Sequence, residues 1–206
     1  MIEVGRLLRS SINGCVVGCK VSQENVPEFG SLVRIPITEQ PFYQVFALVY
    51  DIHVLDDGLV RQLVTSEGVP EEVILDNRIN RNVPLELSAL FVGYQLEQEI
   101  YHLIPPKPPL ALDAIYPCLQ EDLCRFCEAG RFGYFRHILR PADLPVGELL
   151  AAHLRDVNAA QNTVGGSGWV EAATREVITL LRDDYPNLMS VLSALADARL
   201  EYSESL

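Results

Sequence analysis

No stretch of the 206-residue chain approaches the ~18 consecutive apolar residues that a membrane-spanning helix needs. The opening Met1-Ile2-Glu3-Val4-Gly5-Arg6 has neither the charged leader nor the apolar core of a signal peptide, so a soluble, cytoplasmic protein is expected. Bases are scarce: 16 Lys and Arg face 28 Asp and Glu, a net charge of −12. Residues 1–110 and 111–206 carry the same excess, eight bases against fourteen acids each, so neither half is a basic module. Nucleic acid is therefore a disfavoured partner, since such binding draws on clustered Lys and Arg. Cysteine is sparse and odd in number, five in all, which suits free thiols in a reducing compartment better than a disulfide scaffold. The G-x-x-x-x-G-K-[ST] loop that cradles nucleotide phosphates is missing, and Gly165-Gly166-Ser167-Gly168 has no lysine after it.

The first half of the chain carries strand patterning. In Leu32-Val-Arg-Ile-Pro-Ile37 the period of two sets Val33, Ile35 and Ile37 against Arg34. Phe42 to Leu55 is almost continuously apolar and ends at Asp56-Asp57-Gly58, which reads as a hairpin turn into Leu59-Val-Arg-Gln-Leu-Val64. Asn13-Gly14 forms a similar turn between Ile2–Leu8 and Cys15–Val21, and a strand pair spans Leu85 to Ile104 with its turn at Gln95–Glu99. Short strands with polar turns suggest a closed barrel of six strands, because closure removes exposed edges.

Pro105-Pro106-Lys107-Pro108-Pro109 then forms a stiff boundary. Beyond it the period becomes helical. Val146, Leu149, Leu150, His153, Leu154 and Val157 mark one face, and two further stripes run from Val170 to Leu181 and from Leu188 to Arg199. A shorter helix runs from Leu119 to Ala129 and stops at Gly130. The expected architecture is α+β, a barrel domain over residues 1–112 followed by an α-helical domain over 113–206.

Gly5-Arg6, Phe29-Gly30-Ser31-Leu32-Val33-Arg34-Ile35, Val45-Phe46-Ala47-Leu48-Val49, Leu90-Phe91-Val92-Gly93 and the Pro-Pro-Lys-Pro-Pro segment together resemble the HAS barrel. This is the N-terminal domain of HerA-type DNA-translocating ATPases and of the head subunits of rotary ATP synthases. The whole chain resembles the short stand-alone HAS-barrel proteins of cyanobacteria. The resemblance covers roughly residues 1–112 and implies a barrel that serves assembly, touching neighbouring subunits or docking a partner. The nucleotide chemistry of the family belongs to a following P-loop domain that has no counterpart here.

Several constellations bear on chemistry. Cys124-Arg-Phe-Cys127 with Cys15-Val-Val-Gly-Cys19 could supply four thiolates for zinc, but the first pair sits on a helix where thiols pack as small hydrophobes. A nucleophile elbow needs glycine two residues after its serine, and Trp169 stands there after Ser167, so a helix-entry loop is the better reading. His53, His102, His137 and His153 show no H-x-x-x-H spacing and read as packed or surface residues. Asp56-Asp57 and Asp183-Asp184 read as turn and cap residues. Arg131, Arg136 and Arg140 interleave with Phe132, Tyr134 and Phe135, a pattern that can bind single strands but reads better as a connector with core aromatics.

No catalytic residue, cofactor site or metal site is assigned. The leading expectation is a non-enzymatic interaction or assembly module acting on a larger complex, with a ring ATPase carrying the same barrel as one partner and a homo-oligomer as another possibility. The opposing readings are a hydrolase or metal-dependent enzyme using Cys and His, and an accessory factor of a DNA-translocating ATPase. Within the proline segment, Ile104, Pro106, Pro108 and Leu110 are candidate docking residues, since a rigid segment loses little entropy on binding.

Overall fold

The computed structural model describes residues 2–20, 26–38, 40–56, 58–80, 84–141, 143–164 and 168–200. Strands β1 (Gly5–Ser10), β2 (Gly14–Cys19), β3 (Leu32–Pro36) and β4 (Tyr43–Val54) come first, then helices α1 (Gly58–Thr65) and α2 (Glu71–Ile79). Strands β5 (Leu85–Leu96), β6 (Glu99–Tyr101) and β7 (Ala114–Pro117) follow, and then helices α3 (Gln120–Glu128), α4 (Phe135–Leu139), α5 (Val146–Val164), α6 (Trp169–Leu181) and α7 (Tyr185–Asp197). The protein is α+β, with its barrel strands ahead of the main helical layer.

The strands close on themselves in the order β2-β1-β7-β3-β4-β5, and β5 pairs back onto β2. Every pairing is antiparallel. β6 folds back only on β5 and lies outside the ring. The expected number of barrel strands is thus met with a different membership. Leu59–Val64 is helical, because Leu59, Val60, Leu63 and Val64 also share one face at helical spacing, which a six-residue run does not separate from a strand. Asp57 of the expected turn lies outside the described residues, as do Val21 of the second strand and Gly165, Gly166 and Ser167. The sixth strand is β7, which bridges β1 and β3. The proline segment is therefore a crossover within the barrel, and the barrel runs past residue 112. Four residues ending in Pro117 carry too short a pattern to stand out as a strand.

Two cores share the barrel wall. Val4, Leu7, Cys15, Val17, Val33, Ile35, Val45, Ala47, Val49, Leu87, Ala89 and Ile115 fill the interior. Alternate residues of the same strands, Leu32, Phe46, Leu48 and Val92, face outward and are covered by the helices. This two-sided burial explains why β4 lacks the polar alternation of a half-exposed strand. α5 is the central helix, packing on α3, α6 and α7. Asp184 caps α7 by accepting from the Asn187 amide at 3.3 Å, with Pro186 in the first turn.

Glycines set how closely the layers approach. A Cβ at Gly93 on β5 would lie 2.8 Å from the ring of Phe126, so its absence seats α3 against the barrel, where Phe126 also meets Phe46 at 4.7 Å between centroids. Arg34 reaches the same helix, 3.6 Å from Asp122. Gly30, just before β3, has φ +88°, and a Cβ there would fall 2.5 Å from Cβ of Ala152 on α5. Gly30→Ala is expected to destabilise the protein by about 3 kcal/mol, combining left-handed strain with overpacking. Adding Ala152→Gly should recover the overpacking part only. Urea unfolding checks this, and a loss below about 0.5 kcal/mol for the single change would contradict it.

Candidate functional site

The titratable groups that sequence reading left scattered converge where α3, α4 and α5 meet the barrel. His153 of α5 is fully buried, its Nδ1 3.3 Å from the Gly30 carbonyl and its Nε2 3.0 Å from the Tyr134 hydroxyl. A carbonyl can only accept, so Nδ1 carries the proton and Nε2 takes the one from Tyr134. Cys127 closes the group, its Sγ 3.5 Å from the Tyr134 hydroxyl and 3.9 Å from His153 Nε2. A second pair lies beside it. His102 Nε2 sits 2.9 Å from the Phe126 carbonyl, and the His102 carbonyl accepts from His137 Nε2 at 3.2 Å and from the Arg136 guanidinium.

A cysteine beside a histidine invites comparison with a nucleophile and its base. The electrostatics run the other way. Burial pushes the Cys127 thiol up to about 12 and the His153 imidazole down to about 4. Both are neutral near pH 7, where a thiolate–imidazolium pair would need the opposite shifts. Neither reaches solvent, as both side chains lie in or against the helical core. The group is a satisfied polar core that fixes α5 to the barrel, with Tyr134 also edge-on to His102, Phe135 and His153.

The other candidates are placed as follows. Cys15 and Cys19 share the barrel interior, as one face of a regular β2 requires, with burial raising them to about 12 and about 11. Cys127 belongs to the helical core instead, so it does not share a layer with Cys15 and Cys19. No group of three or more metal-ligating side chains occurs among the described residues. Tyr134 and Phe135 are wholly buried, so their faces are spent on packing rather than left for bases. His53 is exposed on β4. In the proline segment Pro105 and Pro109 are buried, while Pro106, Pro108 and Leu110 are exposed and Ile104 is half-buried. No helix among the described residues is long and apolar enough to cross a membrane.

Sequence reading missed two surfaces. The first is an arm. β4 ends with four exposed residues, Asp51 to Val54, and α1 buries none of its described side chains. Val64 is 80% exposed, and Ile52, Leu59, Val73, Ile74 and Leu75 are exposed with it. A groove of about 470 Å³ runs between α1 and the end of β4, lined by Val54, Val60 and Val64. The signal was present in the Leu59–Val64 apolar spacing, hidden by its strand reading. The second is a cleft of about 770 Å³ between the barrel wall and the segment joining α4 to α5, with Ile104 in its lining.

The buried network makes stability acid-sensitive. An unfolded imidazole titrates near 6.5, whereas folded His153 has been lowered to about 4 by desolvation. The unfolded chain therefore binds the proton first. The contribution of His153 is present in full above pH 6.5 and is lost as pH falls toward 4, a swing of about 3 kcal/mol. His102 and His137 are shifted in the same direction by desolvation and the nearby arginines. His153→Gln, which retains a donor and an acceptor without titrating, should flatten this window by most of that swing. Urea midpoints at pH 7 and pH 4.5 measure it, and an unchanged slope in the variant would refute the assignment. Comparison with known protein families and with curated proteins finds no match for the chain.

Proposed function

We propose that the protein is a non-enzymatic interaction or assembly module that engages a larger protein complex through its barrel. The observation that carries this reading is the arm formed by the end of β4, α1 and α2. It is an insertion between two barrel strands, and its apolar side chains face solvent. Exposed apolar side chains gathered around one groove, here Val54 and Val64 beside half-buried Val60 between α1 and the end of β4, mark an interaction site. The Cys127–His153 pair does not support a hydrolase, since both groups are buried and neutral.

Charge narrows the partner. The arm carries Asp51, Asp56, Glu67, Glu71, Glu72 and Asp76 against Arg61 and Arg78. A second copy offering the same face would set like charges together, so a partner with a basic rim around an apolar centre fits better. A ring ATPase bearing a related barrel is the partner class that the sequence resemblance implies. Pro106, Pro108 and Leu110, with Leu110 63% exposed, offer a smaller second contact.

Affinity capture from the native host with mass spectrometry tests the reading when three baits are compared. Val64→Asp with Val73→Asp should lose the complex held by the unmodified chain while the melting temperature stays within about 2 °C, as expected for exposed positions. Pro106→Ala with Pro108→Ala should weaken it less. Identical protein sets on all three baits would overturn the proposal.

A further inference from the structure

The cleft beside the barrel has a chemistry unlike the rest of the surface. Arg9 and Arg140 both line it, and among the described residues its lining contains no Asp or Glu, although acids outnumber bases 28 to 16 in the chain. Among the described residues neither guanidinium lies within ion-pair distance of a carboxylate. Arg6, Arg34, Arg61, Arg155 and Arg182 do have one, so Arg9 and Arg140 belong to the arginines whose charge no carboxylate already neutralises.

The fold builds the site from two walls. On the barrel wall, the register of β1 shifts between Leu7 and Arg9, and Arg9 then sits opposite Val16, which in turn sits opposite Ser88. Val16 is outward because its neighbours Cys15 and Val17 fill the interior, so this row faces the cleft. The β1–β2 turn above it is fixed, with the Phe91 amide donating to the Asn13 carbonyl at 2.8 Å. On the other wall stand His137 of α4 and then Arg140 and Leu144, with Ile104 at the side. His137 reports the local field: after desolvation, the charges of Arg136 and Arg140 also oppose its protonation.

We propose that this cleft binds an amphipathic organic anion, its head group held by Arg9 and Arg140 and its apolar body against Val16, Leu90, Ile104 and Leu144. Guanidinium groups pair with carboxylate or phosphate through charge-assisted, often bidentate hydrogen bonds. A volume of about 770 Å³ suits a molecule of this class, as small-ligand sites run from about 300 to 1,000 Å³. The proposal is independent of the arm and its partner.

Calorimetric titration of the full chain with decanoate, decyl phosphate and decanol, each below its aggregation limit, tests it. At least one of the two anions should bind about tenfold or more tightly than decanol, and the tighter one identifies the head group. Arg9→Gln with Arg140→Gln, both at exposed positions, should weaken that anion about tenfold. Val64→Asp on the arm should leave it unchanged. Binding of decanol as tight as that of both anions, no loss in the arginine double variant, loss in the arm variant, or no binding of either anion would each overturn the proposal.

Discussion

The contact between Gly30 and His153 joins the two halves of this molecule. The Gly30 amide donates to the Val49 carbonyl at 2.8 Å, so the residue is tied to the barrel, while its own carbonyl accepts from the imidazole of α5. Ala152 occupies the space a side chain at residue 30 would need. The arrangement demands a backbone with no Cβ at positive φ and a neutral imidazole with one proton in a defined place. Tyr134 meets the other ring nitrogen, leaving neither buried nitrogen without a partner. Acid sensitivity is the consequence, since the same burial that satisfies the neutral ring excludes the charged one.

Around that contact the helices cover one side of a barrel that already has a filled interior. A closed barrel offers no sheet edge to protect, so the helices pack on strand faces instead, through Leu32, Phe46, Leu48 and Val92. Gly93 supplies the notch for Phe126. Where the cover ends, at Asp51 to Val54, the strand pair continues outward into solvent and carries the two-helix arm.

The surface is divided by charge as well as by shape. Acids dominate the arm, and arginines without a carboxylate partner line the cleft. A net charge of −12 predicts the first and hides the second, because the cleft draws Arg9 from the first strand and Arg140 from a connector more than a hundred residues later. The two places have opposite charge character, so the proposed basic partner and the proposed anion would not compete for one surface.

Local pattern by itself determined the strands at Leu32 to Pro36 and Tyr43 to Val54, the helical stripes of α5 to α7, the stop of α3 near Gly130 and the Asp184 cap. Each is set by a period of two or 3.6 residues or by a backbone need of one residue type. Pattern also indicated a barrel with helices after it. Where a run was short, tertiary structure decided: Leu59 to Val64 became α1, and Ala114 to Pro117 became the closing strand because β1, paired with β2, and β3, paired with β4, each had one edge still open. The meeting of Cys127, Tyr134, His153 and Gly30 had no local signal. Neither did the cleft between Arg9 and Arg140. Such sites consist of distances between residues far apart in the chain, and only the packing of helices on a closed barrel sets those distances.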